Sequence, residues 1–233
     1  MASLTTINQA DNVASPSSRW FFLRPSRHQP CWRGSAEGRW ALGLLGVLTI
    51  VAVQVAQGYF VPFDHAVAGW VAALRSPVWD QVMRAITFFG SSGCVGLALV
   101  WLGLWAQRRR AWPSALRVLG AFGLGLFVAV VLRLAVSQWR PDTLIVPAAM
   151  EWRTRFGLAG FPSGHAYRSA FLFGWLMREV DSARWAKLIR WGSLAMIVLV
   201  GFSRLYLNRH WATDVIGGWL VACVALSLAR RTA

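Results

Sequence analysis

The chain has 233 residues, of which 56% are hydrophobic and only 14% charged, with a net charge of +15. Soluble domains carry about a quarter charged residues, so this composition excludes an ordinary soluble domain and points to a polytopic membrane protein. The basic excess does not describe a nucleic-acid face, because the arginines are spread between apolar runs, where they act as topology determinants. Tryptophan, at 15 residues, suits the aromatic belts of such a protein. Cys31, Cys94 and Cys223 are odd in number and far apart, which gives neither a disulfide framework nor a metal spacing, and they read as packing residues.

Residues 1–39 are rich in Ser, Pro and Arg and lack the apolar centre of a cleaved signal peptide, so they are expected to form a basic, disordered cytoplasmic tail. Residues 40–233 are expected to form one membrane domain. Its first span is Trp40 to Phe60, long enough for a hydrocarbon core of about 30 Å. Val61 to Arg84 is mixed and contains Asp64, His65 and Asp80, with His65 reading as an ordinary loop histidine. The second span runs from Ile86 to Ala106. Gly90-Ser91-Ser92-Gly93 softens its start, and Arg108-Arg109-Arg110 closes it.

The third span is Trp112 to Leu132, where Gly120, Gly123 and Gly125 permit close packing of a neighbouring helix. Arg117 near its start can snorkel toward headgroups, and Arg133 ends it. Leu134 to Gly164 is the longest polar excursion. The fourth apolar stretch, Ala166 to Met177, spans only if its helix begins near Pro162 and continues past Arg178-Glu179. The fifth covers Ile189 to Leu205 and the sixth Ala212 to Ala229, ahead of Arg230-Arg231. The expected fold is therefore all-α: an integral-membrane bundle of six transmembrane helices.

With six spans, the positive-inside rule sets the orientation. Arg19, Arg24, Arg27, Arg33 and Arg39 fall on one side with Arg108 to Arg110, Arg184, Lys187, Arg230 and Arg231, which places both termini in the cytoplasm. Arg133, the residues near His165 and the stretch Ser203 to Asp214 then share the outer face. His210 and Asp214 are four apart, so at a helix start they lie on one face. Such a pair is the skeleton of a nucleophilic or general-base histidine; alone, it is equally a helix cap.

Arg133, Arg140 and Arg204 at the same mouth change that balance. Guanidinium forks bind phosphate oxygens and neutralise charge on a transferring phosphoryl group. Ser163-Gly164 before a helix adds a hydroxyl and backbone N–H donors at its positive end. His165 and His210 together supply what phosphoryl transfer to water requires, a nucleophile and a leaving-group acid.

Three stretches resemble the signatures of the type 2 phosphatidic acid phosphatase family, whose site is shared with vanadium haloperoxidases. They are Arg133 with Arg140-Pro141, then Pro162-Ser163-Gly164-His165, then Ser203-Arg204 with His210 and Asp214. The spacing within each matches, and the one departure is Arg133, where the family usually has lysine. The resemblance implies that His210 attacks phosphorus to form a phosphohistidine, oriented by Asp214. It implies that His165 protonates the leaving oxygen and then activates water. Arg133, Arg140, Ser163, Gly164 and Arg204 would hold the phosphate, with no metal and no other cofactor.

The expected substrate is a phosphorylated membrane lipid. Undecaprenyl diphosphate leads, with phosphatidylglycerol phosphate, phosphatidic acid and lipid A phosphate behind it. A phosphotransferase on the same scaffold and a non-catalytic membrane protein are the other classes. The resemblance and the orientation together imply a bacterial inner membrane with the site facing the periplasm. Arg168, one turn beyond His165, is outside the signatures and reads equally as a substrate contact or as a partner of Glu151 or a headgroup. Glu151, Arg153 and Arg155 read as a solvated interfacial loop.

Overall fold

The structure, a computed structural model, describes residues 33–136, 138–141, 159–180 and 184–229. The tail before residue 33, Glu151, Arg153, Arg155, Arg230 and Arg231 lie outside the described residues. The described residues fold almost entirely as helices: α1 (Arg33–Ala56), α2 (Val61–Ala72), α3 (Pro77–Phe88), α4 (Ser92–Arg109), α5 (Trp112–Ala135), α6 (Gly164–Glu179), α7 (Ala186–Tyr206) and α8 (Ala212–Leu228).

Local chemistry sets the boundaries. Ser76 caps α3 by accepting the Trp79 N–H, with Pro77 in the first turn, where its missing N–H costs nothing. Ser91 caps α4 through the Cys94 N–H, and that helix ends at Arg110 in the left-handed conformation. α1 begins at Arg33, ahead of the expected first span. The mixed stretch after it is two short helices, α2 and α3, rather than a loop.

Among the described residues, four segments are long and apolar enough to cross a membrane: Arg39–Ala56, Pro77–Arg108, Trp112–Ala135 and Ala186–Tyr206. The α3–α4 junction at Gly90 falls inside the second of these. α8 is a shorter apolar helix of 17 residues, and α6, with 16 residues, is about 24 Å long at 1.5 Å per residue. Outward-facing Leu42, Ile50, Leu97, Phe127, Trp191 and Val198 form an apolar exterior that water would not tolerate and lipid does.

α6 is the centre of the bundle, packed chiefly against α7 and α8. The fully buried Tyr167 ring stacks on Phe122 of α5, and its hydroxyl donates to the Phe122 carbonyl at 2.6 Å. Phe171 meets Phe122 edge-on. This close approach depends on Gly125, where a methyl group would collide with the Tyr167 ring. Gly120 and Gly123, expected to do the same, face open space. Burial from several sides explains how a helix containing His165, Arg168 and Arg178 sits inside a membrane bundle.

α2 and α3 lie at the end of the bundle where α5 and α7 finish and α6 and α8 begin. Val71, Met83 and Tyr206 form a small core there. The Ser76 N–H donates to the Tyr206 hydroxyl at 2.8 Å, which ties the α2–α3 turn to the end of α7.

Candidate active site

The site is assembled at this end from four chain segments. Arg133, in the last turn of α5, donates through Nη2 to the Pro162 carbonyl at 2.9 Å. The segment carrying Arg140 is held extended by a bridge between Trp139 and Ala159 and by the Gly160 N–H donating to the Gln138 carbonyl at 2.7 Å. The chain then passes a cis Phe161-Pro162 peptide and enters α6. Ser163 caps that helix, its hydroxyl oxygen accepting the Ala166 N–H, so the hydroxyl proton is still available to another acceptor. The Ser163 N–H donates to the Asp214 carbonyl at 2.8 Å, which locks the starts of α6 and α8 together.

Arg204 lies at the end of α7, 8% exposed, and donates from Nη1 to the Thr87 hydroxyl of α3 at 2.9 Å. A short turn with Asn208 in the left-handed conformation carries the chain to His210. His210 Nδ1 lies 3.1 Å from Asp214 Oδ2, and both side chains are almost completely buried. Asp214 Oδ2 also accepts the Trp211 N–H at 3.0 Å, so the carboxylate is fixed by the backbone before it meets the imidazole. With Asp214 ionised, its carboxylate only accepts, and His210 Nδ1 then carries the proton while Nε2 keeps its lone pair. That is the tautomer a nucleophilic histidine needs.

The residues singled out in the sequence are brought together. Arg140, Arg204 and His210 lie within electrostatic reach of His165, and Arg133 and Arg140 within reach of Asp214. Gly164 sits where a methyl group would come 3.2 Å from Arg168 Nη1 and 3.9 Å from Arg133 Nη2.

Two further residues belong to this neighbourhood. Asp64 of α2 is only 2% exposed. Its carboxylate accepts the Thr213 N–H at 3.0 Å, the Thr213 hydroxyl at 2.6 Å and the Gln138 amide at 3.2 Å. One side chain thus anchors the first turn of α8, next to Asp214, and the segment that carries Arg140. Burial pushes the Asp64 carboxyl above the usual carboxylate range, while the two Thr213 hydrogen bonds pull it back toward ionisation. No spacing in the sequence marks it, since its partners are 74 and 149 residues away. His65, on α2 rather than in a loop, places its ring 4.9 Å from that of Trp211, beside His210.

A buried His–Asp pair ringed by arginines, at one end of an apolar helical bundle, defines a membrane protein built to handle an anionic group. The profile of the PAP2 superfamily matches residues 114–233, which is half of the chain and includes Arg133, Arg140, Ser163, Gly164, His165, Arg204, His210 and Asp214. The chain belongs to that superfamily and is a multi-pass membrane lipid phosphatase. It is 28% identical over 173 residues to phosphatidylglycerophosphatase B of Bacillus subtilis, covering 72% of this chain and 81% of that protein. It is 26% identical over 147 residues to an undecaprenyl-diphosphatase of Sulfolobus acidocaldarius, covering 63% of this chain and 59% of that protein. Among solved structures, the transmembrane PAP2-type phosphatidylglycerolphosphate phosphatase of Bacillus subtilis superposes with a TM-score of 0.67 at 26% identity, over 81% of this chain and 93% of that one. Aquifex aeolicus LpxE shares the fold, with a TM-score of 0.53 at 20% identity over 69% of this chain and 92% of that one.

Proposed function

We propose that the chain hydrolyses the terminal phosphate of a membrane lipid through a phosphohistidine on His210. The observation that carries this reading is the buried His210–Asp214 pair at 3.1 Å, which leaves Nε2 as the attacking atom. Nε2 attacks phosphorus as the bond to the leaving oxygen breaks, and Asp214 balances the positive charge the ring acquires. Arg133, Arg140 and Arg204 hold the phosphoryl oxygens together with Ser163 and the N–H groups at the start of α6. His165 donates to the leaving oxygen, after which water takes the phosphoryl group and frees His210.

Undecaprenyl diphosphate is the leading substrate. Phosphatidylglycerol phosphate is the second reading, favoured by the longer match to the Bacillus subtilis enzyme. Phosphatidic acid and lipid A phosphate stand behind these. Purified full-length protein in detergent is expected to release inorganic phosphate from at least one of these four lipids with a chelator present. A phosphorylated acceptor lipid in place of free phosphate would identify a phosphotransferase. Release that stops on chelation and returns with a divalent metal would overturn the metal-free mechanism.

The reading also includes an orientation: six spans in a bacterial inner membrane, both termini cytoplasmic, and the site outward. It is supported by the basic residues, since Arg108 and Arg110 of the α4–α5 turn and Arg184 and Lys187 at the start of α7 lie at the end opposite the site. A cysteine at position 151 is expected to react with an impermeant maleimide in intact cells, while a reporter after Arg231 stays cytoplasmic. Labelling only after permeabilisation would invert the orientation and direct attention to lipids of the cytoplasmic leaflet.

A further inference from the structure

Arg168 is not used in the mechanism above, yet it touches one of its histidines. It is one turn along α6 from His165, and its Nε donates to the Gly90 carbonyl at 2.9 Å. That bond crosses to the glycine-rich start of α4, whose backbone packs directly on α6. A methyl group at Gly90 would lie 2.9 Å from the His165 carbonyl and 3.2 Å from its Cβ. Anchored in this way, the guanidinium presents Nη2 to His165 Nδ1 at 3.4 Å.

The chemistry of that contact is one-sided. A guanidinium is charged at any relevant pH and only donates. The nitrogen facing it must therefore accept, so His165 Nδ1 is bare and the ring's single proton sits on Nε2. A second proton, which would make the ring a full acid, would have to sit on Nδ1 and point at a cation. Resting on the phosphohistidine reading, we propose that Arg168 is a positioning and specificity-determining residue. It holds His165 as a neutral Nε2–H donor and so biases the enzyme toward lipid diphosphates over lipid monophosphates.

The bias follows from the two leaving groups. In a diphosphate, His210 Nε2 bonds to the terminal phosphorus while the bond from that phosphorus to the bridging oxygen breaks. The electron pair departs on a lipid monophosphate, which is stable as an anion and needs only a hydrogen bond. In a monoester, the same step expels an alkoxide, which requires a proton in the transition state. A neutral imidazole supplies the hydrogen bond but is a poor source of the proton.

The test uses two substrates with one chain, farnesyl diphosphate and farnesyl monophosphate, and compares kcat/KM for phosphate release. The full-length wild-type protein is expected to favour the diphosphate. Arg168→Met, which keeps the length and removes the charge, is expected to shrink that preference about tenfold or more, since the cation facing Nδ1 is then gone. Burial and the charges of Arg204 and Arg140 still oppose a second proton on the ring. An unchanged ratio in an active variant, or equal use of both substrates by the wild type, would overturn the assignment to Arg168. Failure of the wild type to release phosphate from either would overturn the underlying reading instead.

A second measurement does not depend on the variant folding. Nitrogen-15 NMR of histidine-labelled wild-type protein, assigned with His165→Gln, is expected to show an unprotonated Nδ1 and a protonated Nε2 on His165. The opposite tautomer would sink the proposal.

Discussion

His210→Ala is expected to abolish phosphate release while the helical bundle still assembles. The loss follows from the proposed covalent route: without Nε2 there is no atom to form the bond to phosphorus, and the remaining groups only bind. Removing a nucleophile of this kind typically lowers turnover by about four orders of magnitude or more. The fold survives because Asp214 Oδ2 keeps its Trp211 N–H bond and Asp64 still anchors Thr213. The substitution leaves a buried carboxylate short of one partner, at a cost of about 3–5 kcal/mol when the pair is ionised. Helical circular dichroism and a monodisperse elution profile establish folding. Rapid quench with labelled substrate should trap an acid-labile phosphoenzyme in the wild type and none in the variant. A well-folded His210→Ala protein with near-normal release would remove His210 from the mechanism.

How far this site was readable from the sequence depended on where each residue's partners lie. The helices α1, α4, α5 and α7 were legible because lipid-facing surfaces must be apolar along a whole span, and α8 because it is apolar on its buried side as well, all of which leaves long hydropathic runs. α6 was only half legible. It is enclosed by its neighbours, so its exterior is not required to be apolar, and its apolar run breaks at Arg168 and Arg178. α2 and α3 were missed altogether because neither is long enough to span. They are settled by the small core around Tyr206, which only the folded chain creates.

Among the chemical groups, the residues of the three stretches were identified through a family resemblance, since His210 and Asp214 by spacing alone read equally as a cap. Asp64 carried no local signal, because its role comes from Gln138 and Thr213, both distant in the chain. Arg168 was visible by its helical spacing from His165, but the direction of its guanidinium was not. That direction is set by the Gly90 carbonyl of another helix.

Arg133→Ala should lower kcat/KM by about a hundredfold or more, the usual cost of removing one donor to transition-state charge in a preorganised site. The residue has two tasks. In the proposed mechanism its charge faces the phosphoryl oxygens alongside Arg140 and Arg204, and its Nη2 holds the Pro162 carbonyl just ahead of Ser163, Gly164 and His165. A guanidinium can perform both tasks at once because its five donors point in fixed, diverging directions. Arg133→Lys restores the residue the family usually carries but has only one ammonium, so it must divide itself between carbonyl and phosphate. The lysine variant is therefore expected to keep most of its turnover with a raised KM, whereas alanine should lose turnover as well. Steady-state kinetics on the best lipid of the panel separate these outcomes. If Arg133→Ala left both constants unchanged, the side chain would serve only to fasten α5 to the turn before α6, and Arg140 and Arg204 would hold the phosphate without it.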